Sequence, residues 1–139
     1  MGKLIEANLV EQTVRRYLQS QGYALNLPRK KGETGVDITS AQGNTNWLIE
    51  VIGFQSHPPI RSREFYEAFF RVISRDRGIS SDVLVIALPI RFKDGMKQRQ
   101  QQYPVAWGKL AAIFPNLYLW YVDTEKDTIE KYPWSNPVD

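Results

Sequence analysis

Gly35-Val36-Asp37-Ile38-Thr39, then Ser40-Ala41-Gln42-Gly43-Asn44, then Trp47-Leu48-Ile49-Glu50-Val51-Ile52-Gly53: two apolar runs, each interrupted by one carboxylate, flank a segment rich in turn formers. Such a pattern reads as a β-hairpin, with Val36–Thr39 and Trp47–Gly53 as its strands. Side chains alternate along a strand with period two. If the strands pair with an odd residue-number sum, Asp37 therefore shares a face with Leu48, Glu50 and Ile52. Two carboxylates then converge. Like charges that close raise each other's pKa unless a cation neutralises them, and an all-oxygen pair suits Mg²⁺ or Mn²⁺. The plainer reading is two separate acids facing solvent on a half-exposed sheet.

Working outward, the residues before the hairpin carry a helix. Leu4, Ala7, Val14 and Leu18 recur at helical spacing over Lys3–Gln21, Val10 and Tyr17 widen the stripe, and Gly22 stops it. Glu11 falls inside that stripe. A carboxylate there needs a metal, a basic partner or a polar cavity, because burying it alone costs several kcal/mol; the alternative is that it reaches out to Arg15 or solvent. Tyr23–Leu27 carries a further strand signal.

After the hairpin, His57-Pro58-Pro59 breaks the chain, and Phe65, Ala68, Phe69, Val72 and Ile73 mark an amphipathic helix over Arg61–Arg75 that ends at Gly78. Val83-Leu84-Val85-Ile86-Ala87-Leu88 is a continuous apolar run, the signature of a strand covered on both faces, and is expected at the centre of the sheet. A weaker helix occupies part of Met96–Phe114, broken or restarted at Pro104. Strands at Leu117–Val122 and Thr128–Tyr132 complete the order α-β-β-β-α-β-α-β-β. The expected organisation is a single domain over residues 3–132 and a Pro/Ser/Asn tail over residues 133–139. The four tryptophans read as core or edge anchors, and His57 as a loop residue.

Composition bounds the function. The 139 residues, 42% hydrophobic and 24% charged, are ordinary for one globular domain. No cysteine is present, so disulfides and thiolate metal sites are excluded, and the single histidine leaves no usual zinc ligand set. Any metal is held by oxygens. Apolar runs fall short of the roughly 20 residues of a membrane helix, and the first residues lack a signal peptide's apolar region, so a cytoplasmic protein with no membrane partner is expected. Charge is unevenly spread: residues 1–109 hold 16 Lys and Arg against 10 Asp and Glu, whereas residues 110–139 hold 2 against 5. The cations cluster at Arg29, Lys30, Lys31, at Arg61, Arg63, Arg71, Arg75, Arg77, and at Arg91, Lys93, Lys97, Arg99. Such clusters suit a polyanion, and Arg29, Lys30, Lys31, Arg61, Arg63 and Arg75 are the expected nucleic-acid contacts.

A first-helix acid, Gly35-Val36-Asp37, a hairpin, and Glu50-Val51-Ile52 followed by a helix together resemble the PD-(D/E)XK nuclease superfamily. Gln12-Thr13-Val14 through Gly22-Tyr23, Leu48-Ile49-Glu50-Val51, Arg63-Glu64-Phe65-Tyr66-Glu67-Ala68-Phe69 and Val83–Pro89 resemble more closely its cyanobacterial XisH-like branch, the excision controlling factors. The likeness covers roughly residues 4–90, through short motifs in matching order. It implies an α/β, restriction-endonuclease-like fold with a central mixed sheet flanked by helices, metal ligation by Asp37 and Glu50, and a site role for Glu11. One departure is decisive: where the family has lysine two residues after the second acid, this chain has Ile52. A second is that the branch's Gly-Gln pair on the following helix is replaced by Phe70-Arg71.

Three readings follow. One is a Mg²⁺- or Mn²⁺-dependent nuclease in which Arg71, Lys30 or Lys31 takes the lysine's role, Arg71 foremost because a guanidinium can grip a phosphate bidentately; its plain alternative is an i,i+4 ion pair with Glu67. Another is a catalytically degenerate relative that binds nucleic acid, DNA in preference, in excision, recombination or defence. The third is a protein-interaction subunit or homodimer. Whether a Lys or Arg nitrogen reaches the Asp37–Glu50 cleft is the feature that discriminates between the first two.

Overall fold

The computed structural model describes residues 3–30 and 35–139, and within them a five-stranded mixed sheet lies between one helix on one face and three on the other. The elements are α1 (Ala7–Ser20), β1 (Ile38–Gln42), β2 (Thr45–Val51), α2 (Pro58–Ser74), β3 (Asp82–Pro89), a 3₁₀ turn (Ile90–Phe92), α3 (Lys93–Gln102), α4 (Pro104–Ile113), β4 (Leu117–Asp123) and β5 (Thr128–Pro133). Sheet order follows chain order. β1 and β5 are antiparallel edges, while β2, β3 and β4 run parallel. The parallel pairs are joined by helical crossovers, as parallel strands require.

The local chemistry explains these elements. α1 buries Val10, Val14 and Leu18 at i, i+4 and i+8 against Ile38, Ile49, Val85, Ala87 and Trp120. Its end is a Schellman motif: Tyr23 N–H donates to the Leu18 carbonyl at 3.0 Å, Gly22 N–H donates to that of Gln19 at 3.0 Å, and Gly22 takes φ +87°. α2 opens on Pro58, whose missing N–H costs nothing in a first turn. It seals the other face with Phe65, Ala68 and Val72 over Ile52, Leu84, Ile86 and Leu88. β3 is central and its residues Leu84 to Leu88 are fully buried, as its unbroken apolar run predicts. Gly53 lies where the chain leaves β2 beneath the N-terminal segment; a Cβ there would stand 2.3 Å from the Ile5 carbonyl oxygen, so only glycine fits.

One expected strand is absent, the helix break falls at Pro104 as expected, and the tail packs on the domain. Tyr23–Leu27 forms no strand; Leu25 makes one isolated bridge to Ser40. Asn26 replaces the ladder with its own side chain, its Oδ1 accepting from Thr39 N–H at 2.9 Å while Ser40 Oγ donates to the Ala24 carbonyl at 2.7 Å. Asparagine favours such side-chain-to-backbone bonds over strand geometry. Pro104 splits the weak helix into α3 and α4, so the order is α-β-β-α-β-α-α-β-β. The tail is no loose linker: Trp134 and Val138 are buried, and the Trp134 ring stacks on Trp107 at 4.0 Å with each indole N–H donating to the other's carbonyl.

Candidate functional site: an acid pair bracketed by arginines

The hairpin register pairs Ile38 with Ile49, an odd sum. Asp37, immediately before β1, and Glu50, next to last in β2, consequently belong to the face of Leu48 and Ile52, the one α2 covers. Glu50 is 1% exposed. Its pKa rises from 4.5 to about 7, chiefly because burial strips water from the carboxylate, and further because Asp37 repels its charge and shares a hydrogen bond with it. Arg71 and Arg75 pull the value back down without cancelling the rise.

Each acid has its own guanidinium. Asp37 Oδ1 is ion-paired to Arg29, and its Oδ2 accepts from Val51 N–H at 2.8 Å. Glu50 Oε1 faces Arg75 Nη2 at 3.5 Å, too long for a good hydrogen bond, and both Glu50 Oε1 and Arg75 Nε are buried without a hydrogen-bond partner. Arg71, exposed in the last turn of α2, adds its field to Glu50 and makes no pair with Glu67, which instead meets Arg63 at 3.9 Å.

Glu11 borders this group without joining it. Arg15 Nε donates to its carboxylate at 2.9 Å, while the same guanidinium donates to the Asn26 carbonyl at 2.6 Å and the Asp37 carbonyl at 3.1 Å. The acid inside the stripe thus has the basic partner its position demands, one turn along its own helix. Among the other cations named from sequence, Lys30 is exposed, Arg63 lies on the outer side of α2, Arg61 stacks on Phe54 at 3.8 Å, and Lys31 lies outside the described residues. Arg29 and Arg75, expected as nucleic-acid contacts, pair with the two acids. Arg15 is the alternative partner expected for Glu11, and the structure realises that pairing; its further bond to the Asp37 carbonyl has no local signal, because it forms across the fold.

As arranged, these residues do not fit a Mg²⁺ or Mn²⁺ ion. Such a cation takes about six oxygens. Both Asp37 oxygens are engaged, Glu50 offers one unpartnered acceptor, three guanidiniums oppose a further cation, and among the described residues no group of three acids or histidines could hold a metal. The pair's counter-charge comes from arginine.

No family model and no curated protein matches the sequence. Two solved structures share the fold. An FdxN element excision controlling factor protein from Anabaena variabilis aligns at TM-score 0.52 and 17% identity, covering 88% of this chain and 96% of its own. An XisH family protein from Nostoc punctiforme PCC 73102 aligns at TM-score 0.52 and 16% identity, covering 90% and 98%. Both are of the branch that residues 4–90 resemble, and the likeness extends over nearly the whole chain.

Proposed function

We propose that this chain is a catalytically degenerate nuclease-like protein that binds nucleic acid, DNA in preference, in an excision, recombination or defence process. Arginine nitrogens do reach the Asp37–Glu50 cleft, and the observation that carries the reading is what they do there: Arg29 on Asp37 and Arg75 on Glu50 are taken up by the acids themselves, with Arg71 adding its field to a buried Glu50 of raised pKa, so they supply the charge a divalent ion otherwise would and are not left free to grip a phosphate. Ile52 adds to it. The position from which the superfamily's lysine acts is a core position, 4% exposed and packed with α2. The excision role draws on the two neighbours, whose fold this chain shares. The active-enzyme alternative keeps Asp37 and Glu50 as ligands of Mg²⁺ or Mn²⁺ and gives the lysine's role to Arg71.

The test incubates the protein with labelled duplex and single-stranded DNA at low salt, with and without millimolar Mg²⁺ or Mn²⁺, and reads mobility and chain length together. A metal-independent shift without cleavage is expected. Metal-dependent cleavage that disappears in Glu50→Ala and in Arg71→Ala establishes the enzyme instead, and no shift at low salt removes nucleic acid as a direct partner.

A further inference from the structure

Away from the acid pair, where the chain leaves the carboxyl ends of β2 and β3, a polar cleft of about 670 Å³ opens between the N-terminal segment, the first turn of α2, the 3₁₀ turn and α3. Lys3, Arg61, Arg91 and Arg99 line it, against one carboxylate, Asp94. Among the described residues none of these four cations forms an ion pair, in contrast to Arg29, Arg75, Arg77 and Lys93 elsewhere. Asp94 is the one carboxylate of the lining set against four positive charges.

The guanidiniums are nevertheless fixed, because neutral groups hold them. Arg61 lies 3.8 Å over the Phe54 ring and donates to the Gln55 carbonyl at 2.8 Å. Arg91 approaches the same ring at 5.3 Å and donates to the Lys3 carbonyl at 2.6 Å. Arg99 donates to the Gly95 carbonyl and to Ser62 Oγ, each at 3.1 Å, and Gly95 makes room for it, since a Cβ there would stand 3.0 Å from Arg99 Nη1. Neutral acceptors and aromatic faces restrain a guanidinium without cancelling its charge, and each leaves further N–H donors to direct at a ligand. The α2 N-terminus at Pro58 lines the same space and adds the positive end of a helix dipole.

We propose that this cleft is a phosphoryl-binding site, formed by Lys3, Arg61, Arg91 and Arg99 and independent of the Asp37–Glu50 pair. Pre-positioned planar guanidiniums suit bidentate bonding to the oxygens of a phosphate, and the volume lies in the range of small-ligand sites. A phosphorylated end of a nucleic-acid strand and a free phosphate or pyrophosphate both offer that chemistry.

Calorimetric titration of the full chain at low salt, using sodium pyrophosphate, a 5′-phosphorylated oligonucleotide and its 5′-hydroxyl counterpart, tests it. Saturable binding is expected for pyrophosphate or the phosphorylated strand, weakened about tenfold or more in Arg91→Gln and in Lys3→Gln, whose side chains are exposed and whose loss leaves the core intact. Arg63→Gln, paired elsewhere, leaves it unchanged. Preference for the phosphorylated over the hydroxyl strand assigns the ligand to a strand end; equal oligonucleotide affinities with pyrophosphate binding assign it to free phosphates. Absence of saturable binding to every probe overturns the proposal, as does binding that Arg91→Gln and Lys3→Gln leave intact in melt-verified protein. Neither result bears on whether Asp37 and Glu50 support cleavage.

Discussion

At the scale of single residues, Glu50 is a source of instability that the fold tolerates. Its carboxyl titrates at about 7 in the folded chain and at 4.5 when unperturbed. Between those values the folded state binds the additional proton, so stability falls as pH rises through the window; the whole penalty is present above about pH 7 and absent below about 4.5. The difference corresponds to about 3 kcal/mol. Glu50→Gln keeps the shape and removes the ionisation. Its melting temperature is expected to exceed the native protein's at pH 8 and to converge with it near pH 4.5, as followed by circular dichroism; parallel curves across that range contradict the assignment. The acid pair itself was legible in sequence, since period-two alternation and a turn-rich hairpin put Asp37 and Glu50 on one face. Their partners were not. Arg29 arrives from a loop and Arg75 from the far end of α2, and in sequence both belong to clusters that read as surface charge.

At the scale of elements, two strand and tail assignments show where local patterns yield to long-range contacts. Tyr23–Leu27 has a strand's composition, yet Asn26 ties it to β1 through its amide, so one bridge replaces a ladder. The tail has a linker's composition, yet two apolar residues suffice to dock it. Trp134 stacks on Trp107, and Val138 N–H donates to Gln100 Oε1 at 2.9 Å. Trp134→Ala removes a buried indole and its N–H bond to the Trp107 carbonyl on α4; a loss of about 3–5 kcal/mol is expected in urea unfolding. The β2 strand carries the sharper test. Ile52 follows Glu50 on the same face, with its N–H donating to the Ala87 carbonyl at 3.0 Å. In Ile52→Lys an ammonium enters beside Glu50, relieving its raised pKa and restoring the charge-stabilising group whose absence costs roughly 10²–10³ in rate in comparable sites. Because the acid pair as arranged forms no divalent-ion site, Ile52→Lys is expected to show no Mn²⁺- or Mg²⁺-dependent DNA cleavage; cleavage above the native level that vanishes in Ile52→Lys/Glu50→Ala shows instead that the acids take the metal and that only the lysine is missing.

At the scale of the whole molecule, the cations of residues 1–109 include two contrasting populations. Arg29, Arg75, Arg77 and Lys93 neutralise carboxylates of the chain itself, and cations so paired release few counterions when a polyanion approaches. Lys3, Arg61, Arg91 and Arg99 retain their charge and converge on one cleft. The acidic surplus of residues 110–139 lies on other elements, β5 among them, where Glu130 holds Lys93 at 2.8 Å. Affinity for duplex DNA is therefore expected to depend on the cleft and only weakly on the first population. If its four cations each neutralise one phosphate, log K falls against log salt with a slope of about −3.6. Arg91→Gln should reduce that slope by roughly one unit, whereas Arg77→Gln, which removes a cation already engaged by Asp82 at 2.9 Å, should leave it unchanged. Measuring binding isotherms at several salt concentrations for the three proteins separates these contributions, and an equal fall in slope for both variants shows that the surface acts as an undivided basic field.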